Sequence, residues 1–87
     1  MRIRITAAVE RKLRKLFRRQ PELARLFDAR LRLFIEQQDH PGLRLHKLNG
    51  YRQPTWSMSL TVDLRMLYIQ DEQGILVINV GTHDEVY

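Results

Sequence analysis

The segment Gly81-Thr82-His83-Asp84-Glu85-Val86-Tyr87 puts an imidazole, two carboxylates and a phenol directly behind an apolar run, Ile75-Leu76-Val77-Ile78-Asn79-Val80. Side chains of these types move protons and bind phosphate. If the apolar run is a central strand, it presents them at the rim of a sheet. A metal is a poor fit, because His83, Asp84 and Glu85 are adjacent in sequence and cannot converge well on one ion. His40, beside Pro41, reads as a structural residue of a helix-ending loop. A second chemical feature lies near the other end: Arg11, Lys12, Arg14, Lys15, Arg18 and Arg19 are six cations in nine residues with no acid among them. Such a face is either solvated or binds phosphates, and its charge density exceeds what solubility asks for.

These groups sit on 87 residues, enough for one domain and one core. With no cysteine, a disulfide framework and a thiolate zinc site are both excluded. That composition suits a reducing compartment, so a cytoplasmic location is the expectation. No apolar stretch of signal-peptide length comes after Met1-Arg2-Ile3-Arg4-Ile5, and no window approaches a membrane span. The net charge of +5 is uneven: residues 1–44 hold 12 Arg or Lys against 5 acids, and residues 45–87 hold 3 against 5. The first half therefore points to a polyanion or an acidic protein as partner.

Periodicity supplies the scaffold. Arg2 to Ile5 alternates as a short edge strand with Ile3 and Ile5 inward, and Thr6 is placed to cap the next element. From Ala7 to Arg19, Val9, Leu13, Leu16 and Phe17 share one helical face. Gln20-Pro21 breaks and restarts the chain. A second helix is expected to about Gln38, with Leu23, Leu26, Phe27, Leu31, Phe34 and Ile35 as its buried stripe, and Asp39-His40-Pro41-Gly42 ends it. Leu43 to Leu48 reads as extended, and a turn at Asn49-Gly50 comes after it.

In Thr55 to Thr61, Trp56, Met58 and Leu60 face one way and Thr55, Ser57, Ser59 and Thr61 the other, as in a half-buried strand. Trp56 is either core or a platform for stacking bases, and its apolar parity partners favour the core. Leu64 to Gln70 and Ile75 to Val80 read as central strands, joined by Asp71-Glu72-Gln73-Gly74 with Gly74 at positive φ. The fold class is α+β: an antiparallel, twisted sheet of four or five strands, in the order β-αα-ββββ, packed on an N-terminal helical hairpin. The whole chain is one domain, 1–87.

Residues 40–87 carry a pattern that resembles the RelE superfamily of bacterial toxins, and most nearly its YafQ-like branch. The residues concerned are His40-Pro41-Gly42-Leu43-Arg44-Leu45-His46-Lys47-Leu48-Asn49-Gly50, then Trp56-Ser57, Asp63-Leu64-Arg65 and Tyr68, and finally Gly81 through Tyr87. The resemblance implies a type II toxin that enters the ribosomal A site and cuts messenger RNA without a metal or other cofactor. It also implies a cognate antitoxin, operator DNA bound only through the antitoxin complex, and no membrane partner. In such chemistry the ribose 2′-hydroxyl attacks the adjacent phosphorus and a 2′,3′-cyclic phosphate forms.

By the same resemblance His46 and His83 are the acid/base pair, Arg65 holds the scissile phosphate, Asp63 orients a histidine, and Tyr87 donates to phosphate or stacks on a base. The basic helix face, Lys47 and Trp56 become candidates for RNA contact. Where the pattern has a further histidine in the Trp56 strand, this chain has Ser59 or its neighbours. An alternative on the same fold is a ParE-like toxin that binds and inhibits DNA gyrase, for which paired histidines are unnecessary.

Overall fold

The computed structural model describes residues 1–87. Its first strand, β1 (Arg2–Ile5), leads into the helices α1 (Ala7–Arg19) and α2 (Glu22–Glu36). Thr6 does cap α1, its hydroxyl accepting the Val9 amide at 3.2 Å. Proline at position 21 precedes α2, whose last residue is Glu36, two short of the expected end. A single 3₁₀ turn, Pro41–Leu43, then replaces the start of the expected extended segment. The His40 Nδ1 accepts the Gly42 amide at 2.9 Å, which gives this histidine the structural role expected of it. Strands β2 (His46–Leu48), β3 (Thr55–Ser59), β4 (Leu64–Gln70) and β5 (Gly74–Thr82) come next, and a short helix, α3 (His83–Val86), closes the chain.

The sheet order is β1-β5-β4-β3-β2. Strands β2 to β5 form an antiparallel meander, but β1 pairs with β5 in parallel, so the sheet is mixed rather than antiparallel. The two-helix connection is long enough to carry the chain across the full sheet width, from one edge at β1 to the other at β2. Each later hairpin reverses direction, and β5 arrives beside β1 running the same way.

One face of the sheet packs on the helices. Its core joins Val9, Leu13 and Phe34 to Leu43, Met58, Leu60, Met66, Tyr68, Ile75, Val77 and Val80. Between Leu67 and Tyr68 of β4 the pairing skips from Asn79 to Val77, so β5 has an extra residue there. This bulge lets Val77 and Val80, three apart, both face the core. The Phe34 and Tyr68 rings meet edge to face at 5.3 Å, and burial pushes the Tyr68 phenol up to about 12.

Two expected core residues lie outside it. Ile35 is 50% exposed, beyond the edge of the α2 stripe, and Ile5 is 37% exposed at the end of an edge strand. The expected half-buried character of β3 is also wrong, because Thr55, Ser57 and Ser59 are buried along with Met58. Helix α3, which packs on β4 and β5, helps close the second face. No helix is long and apolar enough to cross a membrane.

Gly74 takes φ +147, and a Cβ there would lie 2.0 Å from the carbonyl oxygen of Arg2. Gly50 also has positive φ, +88, but open space around it. Alanine at either site meets backbone strain of about 1–3 kcal/mol, and only position 74 adds the clash with β1. Gly74→Ala should therefore lower the urea midpoint by clearly more than Gly50→Ala, and equal shifts would contradict this account of the β1–β5 seam.

Candidate active site

Register places the candidate side chains. His46 lies opposite Ser57 across β2–β3, Ser59 opposite Arg65 across β3–β4, and Arg65 opposite Gly81 across β4–β5. Paired residues share a face, so His46, Ser57, Ser59, Arg65 and Gly81 all sit on the sheet face away from the helical core. Beyond Gly81, α3 turns the chain back over this face. Its N-cap is a reciprocal box in which Thr82 accepts from the Glu85 amide and Glu85 accepts from the Thr82 amide at 2.8 Å. Gly81 permits the tight return, since a Cβ there would lie 3.0 Å from the Cβ of Glu85.

The result is a cleft of about 240 Å³ lined by His46, Val62, Asp63, Arg65, His83 and Tyr87. All five residues singled out for chemistry meet here, brought together from three separate stretches of the chain. Tyr87 neighbours both imidazoles: its ring is parallel to that of His46 at 6.1 Å and edge-on to that of His83 at 4.3 Å. Asp63 forms part of the wall, but neither histidine ring hydrogen-bonds to it. Its own amide is held by the Thr61 hydroxyl at 3.1 Å. His83 Nδ1 instead approaches Asp84 at 3.6 Å. No group of three His, Asp or Glu side chains converges in a way that could hold a metal ion.

Arg65 is half-buried and has no carboxylate partner among the ion pairs of the molecule. Its Nε donates to the Ser57 hydroxyl at 2.8 Å and its Nη2 to the Arg44 carbonyl at 2.9 Å. The Tyr87 hydroxyl also bonds to Ser57, and the Tyr51 hydroxyl donates to the Val86 carbonyl at 3.2 Å, tying down the end of α3. Arg44 is the single non-glycine residue at positive φ, with φ 48 and ψ 50. A left-handed conformation costs an ordinary residue about 1–2 kcal/mol. A fixed positive charge with no carboxylate in ion-pair contact is free to attract an anion from outside.

Sequence reasoning gave Ser57, Arg44 and Tyr51 no role, although Arg44 and Ser57 fall within the pattern of the resemblance. The signal for Ser57 was its parity with a charged residue on the neighbouring strand. Arg44 and Tyr51 gave none, since one acts through its backbone and the other through a contact 35 residues away.

The expected RNA-contact residues divide. Lys47 pairs with Trp56 in register, which puts both on the face opposite the cleft, and Trp56 packs against the core. On α1, Arg14 pairs with Glu10 at 2.8 Å, and Lys12 reaches to 3.9 Å from Glu85 in α3. Arg11, Lys15, Arg18 and Arg19 make no ion pair.

No family model matches the chain, and no curated protein matches it significantly. Solved structures do. A copper-bound mutant toxin from Helicobacter pylori superposes with a TM-score of 0.80 at 17% identity, covering 100% of this chain and 99% of that one. A YoeB/ParE toxin from Agrobacterium tumefaciens gives 0.79 at 17% identity, over 95% and 99%. YafQ in the E. coli DinJ-YafQ toxin-antitoxin complex gives 0.79 at 15% identity, over 99% and 96%. At these identities the likeness is one of fold: the chain has the RelE-type toxin fold, with YafQ among its structural relatives.

The capping box has a pH signature. The Glu85 carboxyl is held below its ordinary value of 4.5, first by the Thr82 backbone and side-chain hydrogen bonds and then by the Lys12 charge. A depressed carboxylate stabilises the fold above its unfolded pKa and loses that contribution as pH falls through the folded one. On acidification α3 should thus loosen below pH 4.5, read by NMR from the Thr82 amide, and Glu85→Gln should remove the transition. A Thr82 amide that titrates at the ordinary glutamate value would refute the box as the cause.

Proposed function

We propose that the protein is the toxin of a type II toxin-antitoxin pair and that its cleft is an endoribonuclease site acting on messenger RNA in the ribosomal A site. One observation carries this reading: His46, Asp63, Arg65, His83 and Tyr87 line a single cleft. In-line transfer asks for a base and an acid on opposite sides of the phosphorus and for positive charge near its non-bridging oxygens. One imidazole takes the 2′-hydroxyl proton as O2′ bonds to phosphorus. The P–O5′ bond breaks, and the other imidazole protonates the leaving 5′-oxygen, giving a 2′,3′-cyclic phosphate and a 5′-hydroxyl. Both imidazoles line the same cleft as Arg65, so an acid and a base are at hand for one phosphate.

Arg65 supplies the charge, and Tyr87 contacts the phosphate or stacks on a base. Asp63, which holds neither histidine, contributes its carboxylate to the wall and helps orient the substrate. Side chains alone move the protons. The free cations Arg11, Lys15, Arg18 and Arg19 engage neighbouring phosphates. A cognate antitoxin covers the basic face and the sheet rim, as the solved DinJ-YafQ complex leads one to expect of a relative. Through that antitoxin the pair binds operator DNA.

Purified protein added to translating ribosomes should cut within A-site codons and leave a cyclic phosphate. His83→Ala should slow the cut by about 10²-fold or more while remaining folded by circular dichroism. Intact message at high protein concentration would refute the enzyme, and loss of supercoiling that persists without His46 and His83 would favour the gyrase-binding alternative. In a separate titration, each α1 cation that meets a single-stranded phosphate should contribute about 0.7 to the slope of log affinity against log salt. Arg18→Ala with Arg19→Ala should flatten that slope, and an unchanged slope would leave this face merely solvated.

A further inference from the structure

We propose that Ser57 and the left-handed backbone at Arg44 are positioning elements that hold the Arg65 guanidinium by two of its N–H groups and aim the rest into the cleft. The inference rests on the reading of the cleft as a phosphate-handling site. A guanidinium carries five N–H donors in a rigid fork and accepts nothing. Here the Nε hydrogen goes to Ser57 Oγ at 2.8 Å and one Nη2 hydrogen to the Arg44 carbonyl at 2.9 Å. Both acceptors are neutral, so they fix the fork without cancelling its charge. The Nη1 hydrogens and the second Nη2 hydrogen remain for a ligand, on a side chain that lines the cleft.

Each holder is itself fixed. Ser57 is 0% exposed on the central part of β3, between Met58 and Trp56. Its hydroxyl also meets Tyr87, so a single buried atom sets both the arginine and the terminal phenol. Arg44 comes after the 3₁₀ turn, and a 3.1 Å bond from its amide to the Pro41 carbonyl ties this left-handed residue to the turn. Strain of this kind persists where surrounding structure enforces it and tends to mark functional backbone. A fork held in advance loses less freedom when the phosphate reaches its transition state.

Two readouts test this on the whole chain. The first is the Arg65 Nε–H resonance by NMR, which a hydrogen-bonded guanidinium protects from exchange. Protection should be lost in Ser57→Ala and kept in Ser57→Thr, which retains the acceptor. It should also be kept in Tyr87→Phe, which removes only the other bond to Ser57. Arg44→Val should lose it, because a β-branched residue resists positive φ, whereas Arg44→Gly should keep it.

The second readout is single-turnover scission on ribosomes. Ser57→Ala should lower the rate constant about tenfold, with Ser57→Thr restoring most of it. A purely structural defect would reduce the amplitude and leave the rate constant alone. An unprotected Nε–H in the unmutated protein, or a Ser57→Ala rate constant equal to that of the parent, overturns the proposal. If the parent protein never cuts, the endoribonuclease reading falls, and the Nε–H series still decides whether the clamp exists.

Discussion

A slip of one residue between β3 and β4 would turn Arg65 from the cleft face into the apolar core. The pairing of Ser57 with Leu67 and of Ser59 with Arg65 is therefore the constraint on which the site depends. It is enforced from the other side of the sheet. Met58 opposite Met66 and Trp56 opposite Tyr68 share that register, and these residues belong to or pack against the core under α1 and α2. The hydrophobic face thus fixes the cleft face, although no residue of the first lines the cleft.

Closure of the second face depends on the chain's final turn. Helix α3 packs on β4 and β5 and buries its own Val86 there, while bringing His83 and Tyr87 to Arg65 and His46. The capping box and the Tyr51 bond hold this short helix, which is too brief to be stable by itself. Covering the sheet and completing the cleft are the work of one short element.

Much of this was legible in the residues. The period of α1, the Pro21 restart, Thr6 as cap and the strong apolar runs of β4 and β5 each obey a local rule, and the structure agrees with them. What failed was non-local. The parallel seam between β1 and β5 depends on where the crossover lands, which no short window encodes. The Thr55, Ser57 and Ser59 row looks solvated because alternation describes a strand with one wet face, whereas here all three are buried and Tyr87, just beyond α3, reaches back to Ser57. Resemblance assigns Asp63 to a histidine, but in the structure its amide is capped by Thr61 and its carboxylate meets neither ring. The cleft residues could be named from their pattern, but the acceptors that hold Arg65 could not, since one is a serine in a polar run and the other a main-chain oxygen.

The seam between β1 and β5 also governs the order in which the molecule is completed. Arg2 to Ile5 find their partners only in Gly74 to Val77, at the far end of the chain. During synthesis the leading strand stays unpaired while both helices and three strands emerge, and closing so long a loop is slow. His83 and Tyr87 emerge later still. A nascent chain of this protein consequently lacks a finished cleft until Tyr87 has emerged, after every strand of the sheet.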